Sequence, residues 1–293
     1  FAVPLYIAEI SPAKVRGMLV SMFQLMVTIG VLVSYLSDLY FADEGDMSCW
    51  RPMFYVGVIP ACILLVGMIF MPETPRWLMS KGRHSESIRI LKRIEGEKQA
   101  KDSFQQMQEE IKRSETEKSG WKELLQPWLR TPLIICIGIM FFQQFVGINV
   151  VLYYAPEIFK TMGAATDAAL LQQIVVGAVN LSFTVLAIFT VDRFGRRPLM
   201  IIGALVMAVS MMILGTTFYT HSVGIGSLVC MLVYTAGFAM SWGPVCWVLL
   251  AEIFPNTIRS TVMSIAVAGQ WIANFLVSWT FPMLDKNQYL TDT

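Results

Sequence analysis

Neutral amide side chains recur in the middle of long apolar segments of this chain. They are Gln24, Gln143, Gln144, Asn149, Asn180, Gln270 and Asn274, and Tyr153, Trp247 and Trp271 accompany them. A side-chain amide offers both donors and acceptors without introducing a charge, so it matches a hydroxyl group. A lone amide such as Asn180 is explained equally well by a hydrogen bond between helices, worth about 0.6 kcal/mol. The amides clustered on one segment favour a binding site for a neutral, hydroxylated molecule.

The cluster can form one site only if its helix is interrupted. On an ideal helix Gln143, Gln144 and Asn149 would point about 100° to 140° apart. Gly147 lies between them and is the residue type that permits an interruption. We therefore predict a break at Gly147, and discontinuous helices at mid-membrane are typical of transporter binding sites.

A second pattern is a charged motif that occurs twice. The stretch "AEISPAKVRG" begins at Ala8 and "AEIFPNTIRS" begins at Ala251, and each sets a glutamate seven residues before an arginine. Each copy follows an apolar run and leads into another. Repeats at matching positions indicate two homologous helix bundles, an organisation that is common among transporters.

The elements that position these residues are predicted to be membrane-spanning helices. The chain is 55% hydrophobic and only 15% charged, with a mean hydropathy of +0.58, whereas soluble domains carry about 25% charged residues. Segments without charge cover residues 18–37, 53–72, 131–156, 168–191 and 260–284, and 198–251 is long enough for two spans. Because one span needs about 20 apolar residues, we predict an all-α polytopic membrane protein.

Lysine and arginine predict the orientation of these spans. All but three of the 22 basic residues fall on one side, and the exceptions are Arg51, Lys160 and Lys286. The side rich in basic residues is cytoplasmic in bacterial and other cell membranes. The predicted location is therefore the cell (inner) membrane, with multiple passes and both charged motifs on the cytoplasmic side.

Composition also predicts three regions. Residues 73–130 are charged and carry apolar residues at helical spacing, such as Ile88, Leu91 and Ile94. This region reads as a cytoplasmic linker of amphipathic helices between a partial N-terminal bundle, 1–72, and a C-terminal bundle, 131–293. The chain opens within a helix and stops just beyond a span, so we expect a fragment of a longer protein.

Six motifs together resemble those of one family. They are "EISPAKVRG", "PETPRWL", "DRFGRR", "EIFPNTIR", "QQFVGINVVLYYAP" and "GPVCW". In this combination the chain resembles the sugar porter family of the major facilitator superfamily along essentially its whole length. The resemblance implies an incomplete major facilitator fold with about 7 of 12 transmembrane helices. The chain would hold the end of TM4, then TM5 and TM6, the linker, and TM7 to TM11, with TM12 missing.

The resemblance further implies sugar transport by alternating access. The expected substrate is D-xylose or a related aldose such as glucose, arabinose or galactose, with a proton as the coupling ion. The implied substrate-binding residues are Gln24, Gln143, Gln144, Asn149, Tyr153, Asn180, Gly243, Trp247, Gln270 and Trp271. The implied partners are the monosaccharide, the proton and the lipid bilayer, and we expect a monomer. The net charge of +1 predicts no nucleic-acid role.

Charged residues at the cytoplasmic ends of the spans carry a different hypothesis. They are Glu9, Arg16, Asp192, Arg196, Arg197, Glu252 and Arg259. We expect them to form an ion-pair network that latches the two bundles together on the inside. Exposed pairs contribute only about 0–1 kcal/mol each, which suits a latch that opens in every cycle. A role as a topology signal alone is the alternative.

Several alternatives to a coupled transporter remain. No acidic residue lies deep within a span, so a facilitative uniporter stays open, as does a non-transporting sugar sensor. An enzyme is disfavoured because the sequence has no phosphate-cradling glycine loop, no Ser/His/Asp set and no metal-ligand spacing. No catalytic residue, cofactor or metal is predicted.

Overall fold

The computed structural model describes residues 2–12, 15–42, 48–116, 127–161, 166–220, 224–254 and 258–285, in which every regular element is an α-helix. The fifteen helices of this part are α1 (Ala2–Ile10), α2 (Arg16–Phe41), α3 (Trp50–Val56), α4 (Val58–Phe70), α5 (Pro75–Ser80), α6 (His84–Glu95), α7 (Glu97–Thr116), α8 (Pro127–Phe145), α9 (Ile148–Tyr153), α10 (Ala155–Thr161), α11 (Thr166–Phe194), α12 (Arg196–Tyr219), α13 (Ile225–Met240), α14 (Trp242–Ile253) and α15 (Arg259–Asp285). We call α1–α4 the N-terminal helices, α5–α7 the linker helices and α8–α15 the C-terminal helices.

Seven stretches of the described chain are long and apolar enough to cross a membrane. They are Arg16–Phe41, Trp50–Phe70, Leu129–Tyr153, Ala168–Val191, Arg196–Tyr219, Ile225–Leu250 and Arg259–Leu284. A helix satisfies its backbone polar groups internally, which a segment in lipid requires. The prediction of an all-α polytopic membrane protein is confirmed, including the division of 198–251 into two spans.

The outer surface of these helices is apolar. Helix α4 buries none of its residues, and Phe70 at its end is 81% exposed. On α15, Phe275 and Trp279 are also exposed and stack on each other with ring centroids 5.8 Å apart. Such a surface suits contact with lipid tails rather than water.

The linker helices begin at a well-formed cap. The Thr74 hydroxyl accepts a hydrogen bond from the Trp77 amide at 3.3 Å, and Pro75 occupies the first turn of α5. Helices α6 and α7 pack together and bury Leu91 and Ala100. The predicted amphipathic helices are therefore present, whereas the division of the whole chain into three domains stays a prediction.

One membrane span is broken at Gly147. Helix α8 ends at Phe145 and α9 begins at Ile148, and between them Gly147 has φ 88° and ψ 14°. This left-handed conformation is accessible to glycine without a steric penalty. The interruption predicted from the spacing of the amides is confirmed.

Glycine and proline also punctuate the later spans, including Gly243 and Pro244, and a second span is broken close to them. Helix α13 ends at Met240 and α14 begins at Trp242, so the break lies at Ser241 and not at Gly243 or the following proline. Ser241 packs directly on Gly203 of α12, where a Cβ atom would collide with the serine Oγ and Cβ and would approach the Gly237 carbonyl oxygen to 3.1 Å. The chain at the break therefore packs against position 203, where only glycine fits.

We expect Gly203→Ala to lower the melting temperature of the detergent-solubilised protein, since overpacking of this kind costs about 1–3 kcal/mol. Gly215→Ala on the same helix is the matched control, because its Cβ would meet nothing within 4 Å. There the gain in helix propensity, about 0.5–1 kcal/mol, should leave the melting temperature unchanged or raised. Equal melting temperatures for the two variants would contradict the packing argument.

Among the three apolar cores of the described helices, the two larger ones both contact Trp242. One core joins α1, α2, α8, α14 and α15 and includes Trp247, and the other joins α9 to α13 and includes Ile148 and Phe238. Trp247, Ile148 and Phe238 also line a common cavity. The cavity therefore lies where the two cores meet.

Candidate binding site

The cavity at this junction has a volume of about 270 Å³. Its lining is Phe23, Gln24, Val27, Thr28, Val31, Gln143, Gln144, Ile148, Asn149, Leu152, Tyr153, Asn180, Phe238, Trp247, Gln270, Trp271 and Asn274. Nine of the ten residues predicted for the site are in this lining. The tenth, Gly243, lies beside it, because a Cβ there would be 3.6 Å from Gln24 Nε2.

Gln143 connects three helices at the base of the cavity. Its Nε2 donates to the Trp242 carbonyl oxygen at 2.7 Å and to that of Gly243 at 3.4 Å. Its Oε1 accepts from Gln270 Nε2 at 2.9 Å. Gln143 is buried and both ends of its amide are bonded, so it fixes the orientation of the Gln270 amide.

The break at Gly147 brings the other amides together. Asn149 of α9 donates through Nδ2 to Gln144 Oε1 of α8 and to Asn274 Oδ1 of α15, the second at 2.9 Å. Asn274 Oδ1 also accepts from the Ser278 hydroxyl at 3.2 Å. Asn274, which on the sequence alone was equally compatible with a plain interhelical bond, is thus part of the amide cluster.

Two buried acceptors in the cavity wall have no hydrogen-bond partner among the described residues. They are Asn180 Oδ1 and Gln270 Oε1. A buried amide oxygen without a hydrogen bond costs about 1–3 kcal/mol. A ligand that donates hydroxyl hydrogens at these two positions would recover that cost.

Aromatic rings line another part of the cavity wall. Trp247 is almost fully buried, and Phe23 packs edge-on against it with ring centroids 5.4 Å apart. Trp271 and Tyr153 also line the cavity but are 64% and 58% exposed. The cavity therefore combines neutral amides with aromatic faces, the pairing that suits a molecule with hydroxyl groups and C–H surfaces.

Comparison with protein families matches residues 1–289 to the family described as sugar (and other) transporter. The chain belongs to the sugar transporter family. It is 53% identical over 294 residues to the D-xylose-proton symporter of Escherichia coli strain K12, covering 98% of this chain and 59% of that protein. It is 41% identical over 297 residues to the glucose facilitated diffusion protein of Zymomonas mobilis, covering 99% of this chain and 62% of that protein.

A solved structure confirms the fold. The major facilitator superfamily proton:xylose symporter bound to 6-bromo-6-deoxy-D-glucose superposes with a TM-score of 0.87 at 52% identity, over 98% of this chain and 61% of that one. The predicted sugar porter resemblance and the incomplete major facilitator fold are both confirmed. So is the location as a multi-pass protein of the cell membrane, and the chain spans about 60% of the length of these transporters.

Some lining residues of this sugar transporter family member were missed by sequence reasoning. Phe23, Thr28 and Phe238 line the cavity beside the predicted set. Thr28 lies four residues after Gln24, on the face of α2 that a helix presents with it, and that spacing could have identified it. Phe23 is adjacent to Gln24 and points about 100° away on the helix, and Phe238 lies on another span, so the spacing around Gln24 could identify neither.

The predicted cytoplasmic charges are only partly paired. Arg196 of α12 forms a two-pronged ion pair with Glu252 of α14, at 2.8 Å and 3.1 Å, within the C-terminal helices. Arg197 is exposed, and the side chain of Asp192 lies outside the described residues. This pair therefore joins two helices of one bundle rather than the two bundles.

The arginines of the two copies of the repeated motif make the same backbone contact. Arg16 donates to the Ser11 carbonyl oxygen at 3.4 Å, and Arg259 donates to that of Phe254 at 3.1 Å, five residues back in each case. In both arginines Nε is buried and has no hydrogen-bond partner within the described ranges. Both also line a cytoplasmic cavity of about 220 Å³ together with Glu9.

This cavity is where charges of different regions meet. Helix α1 contributes Glu9, α2 contributes Arg16 and α15 contributes Arg259, while the linker helices contribute Arg76 and Glu110, which pair at 3.0 Å. Charged residues of the N-terminal helices, the linker helices and the C-terminal helices therefore line one cavity.

Proposed function

We propose that the complete protein transports a monosaccharide, D-xylose or a related aldose, across the cell membrane by alternating access. The observation that carries this proposal is the cavity beside Trp247, in which five amides from α8, α9 and α15 form two hydrogen-bonded groups. Gln143 pairs with Gln270, and Asn149 joins Gln144 to Asn274. Membership of the sugar transporter family supports it. The relatives named above are transporters rather than enzymes, which supports a role without catalysis.

In this proposal the amides bind the sugar hydroxyls. Asn180 Oδ1 and Gln270 Oε1 accept hydroxyl hydrogens, since neither has a partner in the part of the chain that the structure describes. Gln24, half-buried on α2, supplies contacts from the N-terminal helices, and Trp247 covers a C–H face of the ring. Neutral groups suit this task because a charge at mid-membrane is costly.

We further propose that transport is coupled to a proton. The support is the name of the more similar relative, a D-xylose-proton symporter. Facilitated diffusion is the second candidate, because another relative is named a glucose facilitated diffusion protein. A sugar sensor would bind without exchange across the membrane.

The test is uptake of radiolabelled D-xylose by cells that contain the full-length protein, with competition by glucose, arabinose and galactose. We expect accumulation that a protonophore abolishes. Uptake that equilibrates and ignores the protonophore would assign facilitated diffusion. Sugar binding without counterflow in vesicles would assign a sensor, and the absence of binding by any of these sugars would refute the proposal.

We also propose that the charges around the cytoplasmic cavity hold the inner side closed. Arg259 is 8% exposed and joins α15 to this cavity, so Arg259→Ala in the full-length protein should shift the population towards the inward-open state. Labelling of a cytoplasmic-side cysteine should become faster, by about fivefold for the loss of one such contact. Arg197→Ala, at an exposed position, is the control, and equal labelling rates would mean that no such latch exists.

A further inference from the structure

One hydrogen bond joins the N-terminal helices to the segment that follows the break. The Tyr35 hydroxyl of α2 donates to the Leu152 carbonyl oxygen of α9 at 2.8 Å. Tyr35 is 6% exposed. Helix α9 also carries Asn149 and Tyr153 of the binding cavity. A tyrosine outside the cavity lining therefore holds the backbone of a segment that forms its wall.

The ring of Tyr35 packs closely against Gly177 of α11. A Cβ on Gly177 of α11 would lie 2.9 Å from Tyr35 Cδ2 and 3.1 Å from Leu32 Cδ1, so only glycine admits the ring at this depth. The buried Gln173 lies one turn before Gly177 on α11. The ring cannot move without disturbing α11, so the hydroxyl is fixed relative to the α2–α11 contact.

The bond lies towards the outer side of the membrane. Tyr35 follows Arg16 by 19 helical residues, which is about 28 Å along the axis, and Arg16 marks the cytoplasmic end of this span. Tyr234 gives an instructive contrast, because its hydroxyl donates to the Val146 carbonyl oxygen at 2.7 Å, just before the break. Both partners of that bond belong to the C-terminal helices.

We propose that Tyr35 is a positioning residue that holds α9 over the outer side of the cavity, and that its bond to Leu152 must break when the cavity opens outwards. The Tyr234 bond fixes the end of α8 within one bundle and persists in both states. The inference rests on the proposed transport function for its purpose, but the bond and its effect on access are testable without transport.

The experiment uses the full-length protein with a reporter cysteine in place of Val27, a cavity-lining residue two turns from Tyr35. An impermeant maleimide added from outside should label this cysteine about fivefold faster in Tyr35→Phe, because the loss of one hydrogen bond shifts the equilibrium by about that factor. Gly177→Ala should act in the same direction by displacing the ring. Tyr234→Phe should lower the melting temperature and leave the labelling rate unchanged.

The reference is the protein that carries only the reporter cysteine. A labelling rate in Tyr35→Phe within twofold of the reference rate would overturn the proposal, as would an equal increase of the labelling rate in Tyr234→Phe. Sugar protection of the reporter is measured in the same assay. If D-xylose, glucose, arabinose and galactose all fail to slow labelling in the reference protein, the proposed function fails, while the comparison of unprotected rates still decides the role of Tyr35.

Discussion

Replacing Gln270 with alanine in the full-length protein is expected to weaken sugar binding about 5- to 150-fold. The sugar loses the acceptor Gln270 Oε1. Gln143 Oε1 also loses the hydrogen bond that it accepts from Gln270 Nε2 at 2.9 Å, but it does so with and without sugar, so this second loss lowers stability rather than affinity. A buried polar atom left without its partner costs about 1–3 kcal/mol, and each 1.4 kcal/mol is a factor of ten in affinity. Isothermal titration of the detergent-solubilised protein with D-xylose measures the effect.

The matched control is Gln172→Ala, which removes an amide from α11 that does not line the cavity. Its affinity should stay within about twofold of the unmodified protein. The melting temperature of both variants is measured alongside, so that a folding defect is not mistaken for lost binding. An unchanged affinity in Gln270→Ala would show that the cavity amides do not hold the sugar.

The outcome for the amides shows what a sequence pattern can predict in a membrane protein. Water is absent from the lipid, so each amide in a span must face a protein partner or a cavity, and its position in the sequence already carries that information. The break at Gly147, between Gln144 and Asn149, could also be predicted from the sequence, since glycine is the residue that accepts a left-handed turn. The convergence of these side chains followed from two local features.

The features that sequence reasoning missed depend on contacts between distant helices. The break at Ser241 is explained by Gly203, which is 38 positions away and shows its importance only when α12 lies against α13. The sequence likewise could not show which of the seven predicted charged residues pair with each other, and the structure pairs Arg196 with Glu252. Charge pairing is set by which helix ends lie side by side, and several arrangements satisfy the same residue types.

Substitution of Gly147 by valine should reduce both sugar affinity and transport rate, affinity by about 10- to 100-fold. With φ at 88°, a residue with a branched Cβ is a conformational outlier, although space is not the obstacle, since a Cβ would meet nothing within 4 Å. The strain, about 1–2 kcal/mol, favours continuation of α8 as a regular helix. Asn149 would then turn away from Gln144, and its two hydrogen bonds would be lost.

Two further variants separate conformational strain from other causes. Gly138→Val adds the same side chain within α8, where the backbone is helical and a Cβ also meets nothing within 4 Å, so its affinity should stay near that of the unmodified protein. Gly147→Asn should retain more affinity than Gly147→Val, because asparagine adopts the left-handed conformation more readily. If valine and asparagine at 147 lowered the affinity equally, or if Gly138→Val lowered it as much, the loss would not come from the left-handed turn. The break would then be a consequence of packing by α13 and α15 around α9, and the glycine would only accommodate it.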